Sequence, residues 1–264
     1  MPALEVLSGF ATAPGAAFVG LTMGAGDTLT IRNTLDEMSP RLLTTWQDKQ
    51  AVGNFRIRSP RLHDVVQGIN MANVISDLSP SMPIGFPQPL VSQDVLIAEI
   101  TGSAVAGDIE SASLLVYYPD LPGIDANLID TMELRNRLVN LMTSQNTLAL
   151  GAAGGYSGAQ AINATVDLMK ANTDYALIGY NVRGECATVR WKGADVGNLG
   201  VGGPGTVATR FYSAYWFAWL SDSFGLPLIP VFNSANKAGI IIDGVQDENA
   251  GAATVTSIFA ELKH

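Results

Sequence analysis

Histidine and cysteine, the side chains that most often carry catalysis or hold metals, are nearly absent from this sequence. Its 264 residues include two histidines, His63 and His264, and one cysteine, Cys186. One cysteine excludes an intrachain disulfide and any cysteine-based zinc site, and it suits a chain that folds in a reducing compartment. Two histidines are too few for a metal-dependent cupin, a β-barrel enzyme that needs several imidazoles on one ion. We therefore predict no catalytic residue, no cofactor and no metal site, and a protein that is not an enzyme.

Charged residues are scarce too, at 15% of the sequence against roughly 25% in typical globular domains. The net charge is −9, and the densest basic cluster is Arg56, Arg58 and Arg61. This balance argues against sequence-specific or backbone binding of nucleic acid, which needs clustered cations. Because a monomer usually carries more surface charge than this, we expect subunit interfaces to bury part of the outer surface. A large apolar core is the alternative explanation.

Long apolar runs are missing as well. No uncharged stretch reaches about 20 strongly apolar residues, so we predict no membrane span. Residues 1–22 are rich in apolar residues but lack the positive start of a signal peptide, and we predict no secretion signal there.

Two glycine-rich stretches resemble functional motifs without the context that those motifs require. Gly200–Gly205 matches G-x-G-x-x-G, yet no hydrophobic strand precedes it, and Pro204 removes an amide that would face phosphate. Gly155–Ala159 approaches the G-x-S-x-G nucleophile elbow, but the last glycine is missing and Ser157 has no candidate base. We interpret the first as a flexible loop with positive φ angles and the second as a turn.

Acidic side chains cluster near the end of the sequence, at Asp243 and at residues 247–249. Oxygen-rich loops bind Ca²⁺, but the spacing here is not that of an EF-hand. We interpret these residues as solvated loop acids and keep a structural cation as the alternative. Cys186 is interpreted as a small packed side chain rather than a nucleophile.

The second half of the sequence repeats the order of features in the first half. Residues 82–118 align without a gap on residues 226–262, at a constant offset of 144. Each segment contains a proline-bounded stretch, an apolar strand, a polar loop with glycine and a closing strand. A weaker similarity starts at Phe18 and at Ile162. We infer two tandem domains of one fold.

The predicted domains cover residues 1–128 and 147–264, with a linker helix over 129–146. The helix is predicted from the capping box at Asp130–Glu133, which precedes leucines at helical spacing. These leucines are Leu134, Leu138 and Leu141.

Two further helices are predicted at corresponding places in the two halves, over 61–76 and 207–223. The later one carries six aromatic residues on most of its circumference, so we expect it to be buried nearly all round. Elsewhere, short β-branched runs bounded by Gly, Asn, Asp and Pro predict strands. Long irregular stretches between them favour jelly-roll connections over a meander. The predicted fold class is all-β with a few short helices.

The segments that carry the duplication are 226–233, 239–244 and 254–262, with their counterparts in 82–118. In this organisation the sequence resembles the double jelly-roll major capsid proteins of tailless icosahedral viruses, including bacteriophages with an internal membrane. The resemblance covers most of the chain and involves no short signature motif.

This resemblance implies two tandem eight-stranded jelly-roll β-sandwiches in a self-assembling shell subunit. Three chains form a pseudo-hexameric homotrimer, which contacts neighbouring trimers, vertex or minor capsid proteins and, in some members, an underlying viral membrane. The implied location is the virion shell, after assembly in the host cytoplasm. Residues 34–53 and 193–208 are then candidates for the outer surface, and residues 1–16 for an arm at the base.

A second interpretation stays open: a tandem β-sandwich module that binds carbohydrate or another protein. Such sites expose aromatic platforms beside polar side chains. Trp191, Trp216 and Trp219 are candidates, although two of them lie on the helix predicted to be buried. A bicupin-type enzyme is the third interpretation, and the histidine count disfavours it.

Overall fold

The computed structural model describes residues 1–34, 39–48, 50–62, 66–73, 82, 85–151, 154–165, 167–184, 186–205, 213–246 and 251–263. Within these ranges, eighteen strands form four antiparallel sheets. No strand of the first half enters a sheet of the second half. The all-β prediction with a few short helices is confirmed.

The first sandwich consists of two sheets formed by residues 3–118. Sheet 1A has the strand order β3-β1-β9-β4-β7, and sheet 1B has the order β2-β8-β5-β6. The strands are β1 (Ala3–Thr12), β2 (Val19–Gly20), β3 (Thr22–Met23), β4 (Arg41–Asp48), β5 (Gly53–Arg58), β6 (Ile69–Asn73), β7 (Gln88–Pro89), β8 (Ile97–Ile100) and β9 (Ile109–Tyr118).

The second sandwich consists of two sheets formed by residues 128–262. Sheet 2A has the order β10-β16-β13-β18-β11, and sheet 2B has the order β12-β17-β14-β15. The strands are β10 (Leu128–Ile129), β11 (Leu138–Leu150), β12 (Tyr156–Ala161), β13 (Asp174–Arg183), β14 (Thr188–Lys192), β15 (Val201–Pro204), β16 (Ile229–Asn233), β17 (Ile241–Val245) and β18 (Gly251–Leu262).

Both sandwiches have the same connections. When β2 and β3 are counted as one strand broken at Leu21 and the short β10 is left out, each sandwich has eight strands. Numbered 1 to 8 along the chain, these strands form one sheet that contains the order 1-8-3-6 and one sheet in the order 2-7-4-5. The first strand therefore pairs with the last, β1 with β9 and β11 with β18. This is the double Greek-key order of a jelly roll. The domain limits 1–128 and 147–264 stay a prediction.

Strand β5 illustrates how the sequence specifies a sheet with one buried face. Phe55 and Ile57 are fully buried. Asn54, Arg56 and Arg58 alternate with them along the strand and point away from the core. Alternate residues of a strand lie on opposite faces, so this period of two directs the apolar pair into the first sandwich. There they pack in one cluster with residues of sheet 1A such as Leu114.

The predicted linker helix is much shorter than 129–146. Helix α1 spans Thr131–Arg137, and its start is as expected, since the Asp130 side chain accepts a hydrogen bond of 2.7 Å from the Glu133 amide. Strand β11 follows at once and pairs with β18 over nearly its whole length. The pairing of β11 with β18 outweighs the helix propensity of the β11 residues, as tertiary contacts commonly do. Leu138 and Leu141 are consequently exposed rather than part of a buried stripe.

The other two helix predictions have different outcomes. Residues 69–73, inside the helix predicted over 61–76, form strand β6. Near the second prediction, a 3₁₀ turn (Ser213–Tyr215) leads into helix α2 (Trp216–Phe224), which ends at Gly225 in the left-handed conformation. Residues 206–212 lie outside the described part of the chain. A further 3₁₀ helix spans Ser234–Gly239.

Three segments assigned to the capsid surface or base are strands of the interior. The proposed arm, 1–16, contains β1, which is buried on both faces. The proposed surface loop 34–53 contains the buried strand β4. The other loop, 193–208, contains β15, all four residues of which are buried. These corrections share one cause: the interior of this protein includes the contact between its two sandwiches.

The repeat alignment is correct in the penultimate strand and shifted elsewhere. Leu96 and Ala98 point into the first core as Ile240 and Ile242 point into the second, at the offset of 144. In the closing strands, β9 buries its even-numbered residues in the first core. Strand β18 buries odd-numbered residues up to Phe259 and then the even-numbered Ala260 and Leu262, so the offset of 144 fails over most of this strand. The weaker similarity is also out of register, because Val19 pairs with Ile100 as Ser157 pairs with Gly244.

Candidate assembly interface

Sheet 1A is covered on both faces, which is unusual for a sheet at the boundary of a sandwich. One face of β1 and β9 packs in the first core, through residues such as Leu7 and Leu114. The opposite face carries Val6 and Leu115, which belong to the same buried cluster as the second sandwich. The outward face of sheet 1A therefore packs on the second sandwich, mainly on sheet 2B.

A chain of hydroxyl groups crosses this interface. The Trp46 indole donates a hydrogen bond of 2.9 Å to Thr188 Oγ1, which lies 2.7 Å from Ser113 Oγ. Ser113 Oγ in turn donates to Ser8 Oγ at 2.9 Å. The Thr188 and Ser113 hydroxyls share one hydrogen bond between the sandwiches, and either of them can donate it. Each of these buried polar groups thus has a partner, as a stable interior requires.

Backbone and aromatic contacts extend the same interface. The Val6 amide donates to the Gly200 carbonyl at 2.7 Å, just before strand β15. The Trp46 and Trp216 rings meet edge to face, with centroids 6.0 Å apart. Edge-to-face geometry is favourable for aromatic pairs beyond the area that they bury.

An ionic cluster centred on Arg190 lies in the middle of the interface. Arg190 binds Asp243 of the neighbouring strand through two hydrogen bonds, Nε to Oδ1 at 2.7 Å and Nη2 to Oδ2 at 3.1 Å. Its third nitrogen, Nη1, donates to Asp27 Oδ1 of the first sandwich at 3.0 Å. The guanidinium carbon lies 3.1 Å from the centre of the Tyr156 ring. The Arg190 side chain is only 3% exposed.

Burial changes the acidity of the groups around Arg190. Desolvation raises the pKa of Asp27 from 3.8 to about 6, and neither the Ser8 amide nor the Arg190 charge offsets it. Arg190 is shared with Asp243, and Glu5 adds a like charge, so Asp27 receives only part of one cation. Burial together with the Arg190 charge lowers the pKa of Lys192.

The first sandwich contains the same ionic cluster at the equivalent place. Arg56 donates from Nε to Glu99 Oε2 at 2.6 Å, and its guanidinium carbon lies 3.9 Å from the Phe18 ring centre. Arg58 forms two further hydrogen bonds to the Glu99 carboxylate, of 2.8 and 2.9 Å. Hydrogen bonds from Arg58, reinforced by Arg56, lower the pKa of Glu99 to about 2.

Strand register proves that the two clusters correspond. Arg56 pairs with Glu99 as Arg190 pairs with Asp243. The aromatic partners correspond too: Phe18 precedes Val19, which pairs with Ile100, as Tyr156 precedes Ser157, which pairs with Gly244. The cation two residues further on is Arg58 in the first sandwich and Lys192 in the second. Both sandwiches thus present an arginine, a second cation, a carboxylate and an aromatic ring on the outward face of the second sheet.

The sequence showed some residues of these ionic clusters, but not that they belong together. Arg56 and Arg58 stood out as the densest basic cluster, and the offset of 144 already placed Glu99 on Asp243. Arg190 and Asp27 were missed, because an arginine in a strand and an aspartate in a loop are ordinary residues until the fold brings them together. The signal that could have identified Arg190 is the alternation Arg-x-Lys at 190–192, which resembles Arg-x-Arg at 56–58.

The candidate motifs of the sequence have structural explanations. Gly200–Gly205 is not a flexible loop: no glycine in it has positive φ, and β15 pairs with β14. A Cβ on Gly205 would lie 1.7 Å from the Cys186 carbonyl oxygen, so close packing requires glycine there. Ser157 lies in strand β12, where its hydroxyl accepts from the Gly151 amide. Cys186 is a fully buried thiol, as predicted.

The proposed cation loop is only partly described. Asp243 binds Arg190 rather than a loop ligand, and residues 247–249 lie outside the described residues, as do His63 and His264. Across the part of the chain that the structure describes, no group of three or more His, Cys, Asp or Glu side chains is placed to hold a metal ion. None of the described helices has the length and apolarity needed to cross a membrane.

Among the described residues, the outward face of sheet 1B and the part of sheet 2A around β11 carry exposed side chains, whereas β10 and most of β16 in sheet 2A are buried. Strand β11, at the edge of sheet 2A, has thirteen residues and no charge, and its exposed residues include Leu138, Val139 and Leu141. A groove of about 380 Å³ near Asp125 and Asp195 lies elsewhere. On sheet 2A itself a shallow groove of about 320 Å³ is lined mostly by uncharged polar side chains and by one charged side chain, Arg183. Its lining includes Gln145, Thr147, Asn181, Arg183, Thr254 and Thr256.

Comparisons with known proteins add little to this geometry. No protein-family model matches the chain, and no curated protein matches it. Among solved structures, the crystal structure of the PBSX exported protein XepA is similar at 10% sequence identity, over 97% of this chain and 86% of that chain, with a TM-score of 0.28. A TM-score this low supports neither a fold nor a function, so the conclusions below depend on the geometry.

Proposed function

We propose that this protein is a major capsid protein, a structural subunit that assembles into homotrimers of pseudo-hexameric outline and then into an icosahedral shell. One observation carries the proposal: two jelly rolls with the same strand order lie in one chain and share a buried interface. Fold alone does not establish function, because jelly rolls also occur in lectins and cupins. The manner of packing provides the further support.

The contact between the two sandwiches joins unlike faces. The outward face of sheet 1A meets the outward face of sheet 2B, so this contact uses neither the outward face of 1B nor that of 2A. A contact between unlike faces can repeat from one copy to the next, and it closes into a ring when the rotation permits. Three chains would present six sandwiches in such a ring.

The distribution of charge supports an assembling subunit. Edge strands of proteins that stay monomeric are usually protected by charges or proline. Strand β11 has neither, and it exposes leucine and valine side chains. Obligate interfaces are depleted in charge in the same way. The uncharged strand β11 is therefore one place where this low charge is concentrated.

The carbohydrate-binding alternative loses its candidate platform. Trp191 and Trp216 are fully buried, where they serve the core and the interface. Trp219 is partly buried against the same cluster. A sugar-binding aromatic must present its face to solvent, so Trp191 and Trp216 cannot take that role.

The proposal predicts the mass of the purified protein. Light scattering after size-exclusion chromatography should give a species of three times 27.8 kDa, and electron microscopy of concentrated samples should show sheets or closed shells. The trimer should persist on dilution, since obligate interfaces of roughly 2,000 Å² or more hold tightly.

A monomer at every concentration would contradict the capsid proposal. The duplication and the uncharged edge strand would then need another explanation, and the protein-binding module would become the better hypothesis. Glycan arrays and pull-down experiments with defined surface proteins would be the next measurements in that case.

A further inference from the structure

The equivalent strands β1 and β11 differ in how their outer edges are covered. In the first sandwich the chain itself covers this edge: the Val6 amide donates to the Gly200 carbonyl at 2.7 Å, and the Ser8 amide donates to the Asp27 carboxylate at 2.8 Å. Strand β3 pairs with the two residues of β1 that follow. The hydrogen-bonding groups on the outer side of β1 are therefore occupied within one chain.

The outer edge of β11 is covered by the chain only in its second half. Gln160 of strand β12 donates from Nε2 to the Thr147 carbonyl. A Cβ on Gly158 would lie 3.0 Å from the amide nitrogen of Ala149 and 3.1 Å from its carbonyl oxygen. Because alternate residues of a strand direct their backbone groups to opposite sides, the odd-numbered residues of β11 face away from its partner β18.

The same alternation identifies three residues with open backbone groups in the first half of β11. The register between β11 and β18 has no irregularity after Asn140, so Leu141, Thr143 and Gln145 also direct their amides and carbonyls away from β18. In the part of the chain that the structure describes, no other segment hydrogen-bonds to these backbone groups. All three residues are exposed. Their open amides and carbonyls fit one kind of partner, another extended strand.

Strand β11 is also the least protected edge of the described sheets. It has thirteen residues, whereas every other described strand at a sheet edge has six or fewer. It contains no charged residue and no proline, which are the usual means of keeping an edge from pairing with another chain. The edge therefore accepts an extended, uncharged backbone.

A second copy of β11 meets this requirement. Two antiparallel copies related by a two-fold axis at Thr143 pair Leu141 of one copy with Gln145 of the other, and Thr143 with its own equivalent. All three open residues then exchange backbone hydrogen bonds, and two threonines facing each other are a favourable cross-strand pair. Since β11 carries no charge, two copies with a net charge of −9 each meet here without like charges opposite one another.

We infer that two copies of this protein join edge to edge through antiparallel pairing of their β11 strands, which merges two 2A sheets into one. The contact is isologous, with the same segment on both sides. Its role, to join one trimer to the next, rests on the proposed function, in which sheet faces meet within a trimer. Because three residues of each copy make the backbone bonds, the contact is reversible and forms at the concentrations at which shells assemble.

A disulfide across the two-fold axis tests the register. In a hydrogen-bonded antiparallel pair the two Cα atoms lie about 5.5 Å apart, within the range that a disulfide spans. Oxidation of assembled Thr143→Cys should therefore give a covalent dimer of twice 27.8 kDa on a non-reducing gel. Ala149→Cys is the matched control, exposed on the same face but outside the pairing segment, and should give no dimer. The natural cysteine, Cys186, is buried.

A lysine on the same edge tests what the contact contributes to assembly. Thr143→Lys places two cations opposite each other at the axis, so we expect sheets and shells to disappear from electron micrographs while the trimer in dilute solution remains. Ala149→Lys, the matched control, should assemble as the parent does. Far-ultraviolet circular dichroism and the thermal midpoint must agree between the two variants. If Thr143→Lys unfolds early, Gln145→Lys replaces it.

The outcomes separate this contact from the proposed function. A trimeric parent whose Thr143→Cys variant gives no dimer at assembling concentrations refutes the strand pairing and leaves the capsid proposal standing. A parent that forms dimers and no trimer, with the Thr143→Cys disulfide, supports the pairing and refutes the trimer. Loss of assembly in Thr143→Lys without the disulfide refutes the pairing of two β11 strands, because another segment of a neighbouring copy must then cover the edge. A parent that is monomeric at every concentration refutes both.

Discussion

At the scale of single residues, the Arg190 cluster shows how a buried charge is retained in an interface. Burying ions costs several kcal/mol each unless partners and hydrogen bonds compensate. Arg190 has two carboxylates and an aromatic face, whereas Asp27 shares its cation with Asp243 and remains poorly compensated. The contact between the sandwiches therefore contains one group whose protonation changes in a mildly acidic range.

Asp27 should make the stability of the fold depend on pH. The folded protein binds the Asp27 proton more tightly than the unfolded chain, because the pKa is about 6 rather than 3.8. The Asp27 contribution to stability is thus largest below pH 4 and is lost as the pH rises through 6, by about 3 kcal/mol. We expect the free energy of unfolding of the parent minus that of Asp27→Asn to fall by most of this amount between pH 4 and pH 7, measured by urea unfolding.

Glu99 provides a contrast of opposite sign. Its pKa is lowered to about 2 from 4.5, so its contribution is fully present above pH 4.5 and is lost as the pH falls toward 2. The same comparison with Glu99→Gln should therefore change below pH 4.5 and stay level above it. An Asp27→Asn difference that stays level from pH 4 to pH 7 would show that Asp27 is better compensated than its burial indicates.

At the scale of secondary-structure elements, helix α2 combines side chains of very different burial. Trp216 and Phe217 are fully buried, whereas Tyr215, just before the helix, is 42% exposed. The sequence predicted burial nearly all round, because it showed aromatic residues on most of the circumference. The helix closes the second sandwich and reaches Trp46 of the first, so only one side of it is enclosed by protein.

Truncation of two neighbouring aromatic residues should separate these roles. Trp216→Ala removes a side chain that packs on Trp46 and donates to the Gly202 carbonyl, so we expect a loss of about 3–5 kcal/mol in unfolding free energy. Tyr215→Ala should cost less than about 0.5 kcal/mol, as exposed substitutions do. Equal effects of the two changes in thermal or urea unfolding would contradict the placement of the helix.

The type of an element was predicted well where a local residue pattern determines it, and poorly where pairing with a distant strand determines it. The period of two around Phe55 gave strand β5, and the capping box at Asp130 gave the start of α1. The leucines after α1 fit a helix equally well, but a twelve-residue partner in β18 makes the extended state better. No local pattern reports such a partner, which lies more than a hundred residues away.

At the scale of the whole molecule, the two sandwiches should unfold together. Their interface shares one continuous buried cluster with the second core, which includes Val6 and Leu115 of the first sandwich. Neither sandwich can open without exposing that cluster. We expect a single calorimetric transition, with a calorimetric enthalpy equal to the van't Hoff enthalpy at a fixed protein concentration. Two resolved transitions would mean that the interface contributes little.

The duplication was predictable from the sequence, but the way in which the halves meet was not. The offset of 144 gave two related domains and even placed Glu99 on Asp243. The segments 1–16 and 193–208 were assigned to the outside because nothing local shows that β1 and β15 face each other. Burial of a strand on both sides becomes visible only when both sandwiches are assembled.

The position of β1 also sets an order of events during synthesis. Strand β1 leaves the ribosome before the segments that cover it, because its sheet partner β9 follows about a hundred residues later, and the carbonyl that binds its Val6 amide belongs to Gly200. Contacts of such long range form slowly, and the apolar surface that they bury stays exposed until they form. Strand β1 is therefore among the last strands to be completed, and its outward side stays unoccupied until the segment around Gly200 has been synthesised.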